Sequence, residues 1–111
     1  MSDNFSPLGV LEEQVLVAVL RSGADAFGMQ VRREIERVTG RELAIGAVYA
    51  TLDRLEEKGL LSSKRAMSEG ARRVFMISRK GAAALQETRE MRDRLWQGVD
   101  LRRISLGLGL G

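Results

Sequence analysis

With 111 residues, 44% of them hydrophobic and 30% charged, the chain has the composition of one ordinary globular domain, not that of a disordered or membrane-embedded segment. It contains neither cysteine nor histidine, which excludes disulfides, thiolate nucleophiles, thiolate metal sites and the commonest general base, so no metal or cofactor is expected. The formal net charge is only +3, but residues 60–80 carry Lys64, Arg65, Arg72, Arg73, Arg79 and Lys80 against Glu69 alone, a pattern that suits either a polyanion or plain solvation.

The first residues lack a basic stretch followed by an apolar one, and no apolar run approaches the about 18 residues of a membrane span, so a cytoplasmic protein is expected. Ser6 and Pro7 read as the cap and first residue of a helix, with Glu12 and Glu13 in its early turns, where the helix dipole favours negative charge. Leu8, Leu11, Val15 and Val19, flanked by Leu16 and Leu20, form a stripe broad enough to touch both a core and another subunit, and Ser22-Gly23 ends it.

A second helix is predicted over residues 26–38, capped by Asp25, stopped by Gly40, and facing inward through Phe27, Val31, Ile35 and Val38. Its charged residues, Arg32, Arg33, Glu34, Glu36 and Arg37, read as a solvated face. Gly28 costs roughly 1 kcal/mol against alanine inside this pattern and therefore predicts the close approach of a neighbouring helix or backbone.

Ile45, Val48, Leu52 and Leu55 define the buried side of a third helix. Opposite them lie Gly46, Ala47, Ala50, Asp53, Arg54 and Glu57, an outer face whose N-terminal half is nearly free of bulk. Such a face lets a backbone come close to a DNA major groove, or else to another helix. After the turn at Glu57-Lys58-Gly59-Leu60, residues 60–65 and 72–78 read as two strands of a hairpin around Ser68-Glu69-Gly70, with Arg73, Phe75 and Ile77 on one side.

Ser78 then caps a long helix to about Val99. Leu85, Thr88, Arg92, Leu95 and Val99 repeat along it, with Ala84, Met91 and Trp96 beside them. Arg92 interrupts the repeat, which argues against a regular coiled coil, yet an arm of this length exposes apolar surface unless a two-fold partner covers it. The Leu-Gly alternation of residues 101–111 reads as a flexible tail. The expected fold is mainly α with a small β-hairpin: a winged helix-turn-helix over residues 6–79, followed by a C-terminal dimerisation helix over 80–100.

The chain resembles the PadR-type transcriptional regulators, a family of dimeric winged-helix proteins. The resemblance lies in the run from Gly46-Ala47-Val48-Tyr49-Ala50-Thr51 through Leu52-Asp53-Arg54-Leu55-Glu56-Glu57 to Lys58-Gly59-Leu60-Leu61. It continues in Glu69-Gly70-Ala71-Arg72-Arg73-Val74-Phe75 and Ile77-Ser78-Arg79-Lys80-Gly81, with Phe27-Gly28-Met29-Gln30-Val31 upstream. It implies a third helix that enters the major groove, a wing on the backbone or minor groove, and a last helix that dimerises against the partner's first. By position it implies that Tyr49 meets a phosphate or base edge and that Arg72 and Arg73 belong to the wing. The family often has a Ser-Pro pair before the glycine and a proline after the tyrosine; Ala44-Ile45 and Ala50 stand there instead, so base preference does not transfer.

The candidate DNA-binding set is therefore Gly46, Ala47, Tyr49, Ala50, Thr51, Arg54, Lys64, Arg65, Arg72 and Arg73. Thr51 and Ala47 are either thymine-methyl contacts or simple helix surface. Arg54 lies at the groove edge or pairs with Asp53, Glu57 or Glu12, and Tyr49 binds DNA or only packs. The candidate dimer interface is Leu11, Val15, Leu85, Thr88, Met91, Leu95 and Trp96, with Trp96 also a stacking site for a small aromatic effector. Glu12, Glu13, Glu56 and Glu57 suit helix surfaces better than a paired acid/base site, so an enzyme is not expected. The expected function is a homodimeric repressor on an inverted repeat of double-stranded DNA; the alternative is a winged-helix module whose arginines meet an acidic protein partner.

Overall fold

The computed structural model describes residues 7–66 and 72–105. Each apolar stripe becomes an element of one core: α1 (Val10–Ser22), α2 (Gly28–Thr39) and α3 (Ile45–Glu57), followed by strands β1 (Leu61–Arg65) and β2 (Arg73–Ile77). Val15, Leu16, Val31, Leu52, Leu55 and Phe75 are completely buried at its centre. α4 (Arg79–Trp96) and the short α5 (Arg102–Ser105) complete the described chain. This is the mainly helical fold with a two-stranded hairpin that the periodicity predicts.

The ends of the helices differ from expectation for local reasons. α1 begins at Val10, because the Glu12 carboxylate accepts the Gly9 N–H at 2.8 Å while the Leu8 N–H donates to Thr88 Oγ1 at 3.3 Å, holding Leu8 and Gly9 outside the helix. Ser6, the expected cap, lies outside the described residues. α2 begins at Gly28 and is not capped by Asp25, since residues Gly23–Asp25 form a 3-10 turn and the buried Ala26 carbonyl accepts the Phe75 N–H at 2.8 Å. That one bond ties the α1–α2 connection to the edge of β2. Val38, expected on the inner face, is exposed.

Gly59 supplies the left-handed turn, φ +78°, that leads from α3 into the hairpin. The strands pair antiparallel from Leu61 opposite Ile77 to Arg65 opposite Arg73. The Ser68-Glu69-Gly70 turn lies outside the described residues. β2 buries Phe75 and half-buries Arg73 and Ile77, following the predicted alternation.

Ser78 caps α4 as expected, its Oγ accepting the Gly81 N–H at 3.0 Å while its O–H donates to the Gly59 carbonyl at 2.6 Å. Gly81 is pressed on the turn: a Cβ there would lie 2.1 Å from the Leu60 carbonyl oxygen, an immovable backbone atom. α4 stops at Trp96, three residues before Val99, and a helical turn at Arg102–Ser105 replaces the start of the expected flexible tail. The Asp100 carboxylate organises that turn by accepting both the Arg102 N–H and its guanidinium at 3.0 Å.

Candidate nucleic-acid interface

α3 divides sharply by exposure. Val48, Leu52 and Leu55 are fully buried, whereas Gly46, Ala47, Ala50, Asp53, Arg54 and Glu57 are exposed, so the bulk-light edge read from the pattern is open to solvent. Tyr49 is 38% exposed on the flank of that edge. Thr51 is a correction. It is only 2% exposed and its hydroxyl donates to the Ala47 carbonyl at 2.8 Å, so it belongs to the packed side of α3 and not to the exposed edge.

Of the three partners offered for Arg54, Glu12 is the one it approaches. The contact is loose, 3.8 Å, and the same carboxylate oxygen takes the Lys58 ammonium at 2.7 Å. The Lys58 hydrogen bond, then that from the Gly9 N–H, holds the Glu12 carboxyl below its ordinary pKa. The Arg54 guanidinium is half-exposed and also donates to Thr51 Oγ1 at 3.5 Å, a second long contact.

The wing separates its arginines. Lys64 and Arg65 are exposed on β1, and Arg72 is exposed just ahead of β2 with its guanidinium 4.4 Å from the centre of the Phe27 ring. Arg73 turns the other way, to the side of Phe75 and Ile77, and this bears against the expectation that it contacts DNA from the wing. Its side chain is 31% exposed and donates to Asp53 Oδ1 at 3.0 Å and Glu56 Oε1 at 2.7 Å, while lying over the Phe75 ring. The second Glu56 oxygen accepts the Ser63 hydroxyl at 2.8 Å. Arg73 is thus a clamp between hairpin and α3, its charge spent on two carboxylates. Asp53 and Glu56 are absent from the predicted site; their spacing of three on a helix just before a basic strand is the available signal.

The candidate subunit surface involves α1 and α4. Val15 is completely buried in the core and presents no surface, while Thr88 is buried at the wall of a groove with its Oγ1 accepting the Leu8 N–H. Leu11 and Leu85 are half-buried against the same core. Met91 instead lines an apolar groove of about 400 Å³ between α1, α2 and α4, together with Val17, Ile35 and Val38. The Glu13–Arg92 pair at 2.7 Å and the Arg21–Glu34 pair, also at 2.7 Å, lie at this groove. Farther along the arm, Leu95 is 71% exposed and Trp96 52%. Val17 and Val38, at this groove, are both exposed.

Among the described residues no helix is long and apolar enough to cross a membrane, and no acidic group of three or more could hold a metal ion. The model of the transcriptional regulator PadR-like family matches residues 15–87. Transcriptional regulator Rv3488 of Mycobacterium tuberculosis is 37% identical to this chain over 88 residues, spanning 77% of this chain and 81% of the relative. Among solved structures the fold is similar to F93 from STIV, a winged-helix DNA-binding protein, with a TM-score of 0.69 at 17% identity, covering 84% of this chain and 98% of that one. It is also similar to BpsR of Bordetella bronchiseptica, whose DNA binding is regulated by 6-hydroxynicotinic acid, with a TM-score of 0.62 at 16% identity over 96% of this chain and 82% of that one.

Proposed function

The chain belongs to the PadR-like family of transcriptional regulators, which are DNA-binding proteins and not enzymes, and from that premise we propose that two copies of it bind an inverted repeat in double-stranded DNA and repress transcription by covering a promoter. The observation that carries this reading is the exposed edge of α3, where Gly46, Ala47 and Ala50 offer backbone with almost no side chain while the other side of the helix is locked into the core. A recognition helix inserts its N-terminal turns first, and these are the turns so stripped. Tyr49 and Arg54 flank the edge, and Lys64, Arg65 and Arg72 on the hairpin neutralise phosphates beside the groove.

The second copy supplies what the arm lacks. Leu95, Trp96 and Met91, with the groove beside α1, form an apolar surface that a two-fold partner covers with its own α4, and this symmetry sets the half-sites about 34–36 Å or a multiple apart. A small planar aromatic compound stacking on Trp96 is the matching effector reading. It draws support from the exposure of that ring and from the ligand-regulated fold neighbour.

Selection from random duplexes tests the central reading, because it yields the sequence and the half-site spacing together. A palindromic consensus is expected, bound with an affinity that falls by about 0.9 in log units per log unit of salt for each phosphate contact. Failure to select any duplex at low ionic strength, with binding to acidic peptides instead, would transfer the wing arginines to a protein partner. Tryptophan emission titrated with planar aromatic compounds tests the effector, and the absence of saturable quenching removes it.

A further inference from the structure

We propose that Gly28 is a positioning residue for recognition: its missing side chain is the seat of the Tyr49 ring, and any larger residue there drives Tyr49 out of its DNA-contacting position. A Cβ built on Gly28 would lie 2.3 Å from Tyr49 Cζ, 2.4 Å from Cε1 and 2.5 Å from Oη. Nothing in the backbone asks for glycine at this position. Gly28 is the first residue of α2 and is absent from the positive-φ glycines, Gly23, Gly40, Gly59 and Gly98, so the backbone would accept alanine. The residue is buried although it opens its helix, and the atoms that bury it on this side belong to the outer end of the tyrosine.

The seat joins the two helices of the helix-turn-helix. The Tyr49 backbone belongs to the bulk-free turn of α3, while its ring lies against the start of α2, so Gly28 decides where the hydroxyl leaves the protein surface. The ring end can yield in a way that the Leu60 carbonyl above Gly81 cannot. An added methyl at 28 is therefore absorbed by swinging the tyrosine and not by opening the core.

The inference rests on the reading that Tyr49 touches DNA, and a double-mutant cycle separates the two. Affinity for the selected duplex is measured for the full chain, Gly28→Ala, Tyr49→Ala and the double variant, with the thermal midpoint of each. Each single change is expected to weaken binding roughly tenfold, the double variant no further than Tyr49→Ala, and Gly28→Ala to keep its midpoint. Tyr49 is the only tyrosine in the chain, so its ring resonances report the displacement directly. Wild-type affinity in Gly28→Ala, losses that multiply in the double variant, or unmoved ring resonances would overturn the seat. Gly28→Ala that fails to fold would do so too, since the ring would then not be free to yield. Wild-type affinity in Tyr49→Ala with shifted ring resonances in Gly28→Ala would show the seat to be real but the DNA contact, and with it the role proposed for Gly28, to be wrong.

Discussion

The winged head and the α4 arm use the same kinds of residue to opposite ends. In the head, Leu16, Leu52 and Phe75 are completely buried because three helices and a hairpin close on them from different directions. In the arm, Leu95 and Trp96 are more than half exposed, because beyond Arg92, which still pairs with Glu13, the helix has outrun the elements it packs on. The molecule is 59 Å long but only 20 Å across its thinnest axis, which is the shape of a closed body with an unpartnered extension. Burial thus separates the apolar side chains that hold this fold from those that α4 leaves on the surface.

The comparison fails first if the head does not depend on its core. Phe75→Ala is expected to cost about 3–5 kcal/mol, from the forfeited transfer free energy and the cavity left under the hairpin, as read by denaturant unfolding. Substitution in the arm should behave differently. Leu95→Glu together with Trp96→Glu is expected to weaken self-association by about a hundredfold in sedimentation, while helix content and the monomer's unfolding midpoint stay near those of the parent. Loss of folding in this variant would show that the arm belongs to the head after all.

A smaller effect separates the wing arginines. Arg73→Gln is expected to lower stability by about 1 kcal/mol through the loss of its Asp53 and Glu56 bonds, with little change in the salt dependence of DNA binding. Arg72→Ala should act mainly on binding, reducing the salt slope by about 0.9 for each phosphate that it no longer neutralises, while the lost stacking on Phe27 lowers stability by about 0.5–1 kcal/mol. The smallest expected effect concerns Glu34, where α1 meets α2. Hydrogen bonds from Arg37 and then Arg21 lower its pKa from 4.5 to about 2. A carboxyl whose pKa falls on folding contributes stability above its unfolded value and loses it on acidification. The thermal midpoint should therefore drop as pH falls from 4.5 toward 2, and Glu34→Gln should flatten that part of the curve.

Periodicity makes most of the head legible in the sequence. The inward faces of α2, Val38 apart, and of α3, the cap at Ser78, the turn at Gly59 and the alternation of β2 all depend on neighbours close along the chain, and are readable there. The glycine at 28 is legible as a close approach, although the neighbour is a tyrosine ring in place of a helix or backbone. The features that mislead do so for separate reasons. Thr51 reads as exposed because it lies between the two faces of α3, Arg73 reads as a wing cation because its acids lie 17 and 20 residues away, and Val15 reads as available because its stripe is wide.

From order and spacing alone come the fold class, the identity of α3 as the helix with a bare edge, and the basic character of the hairpin, because helical and strand periods are written into successive residues. Folding in three dimensions settles which cation is spent on the Asp53–Glu56 clamp, which threonine turns inward, and which apolar surface is left over on α4. Those outcomes depend on charges and surfaces that meet only when distant segments pack, and their energies depend on the distances so created.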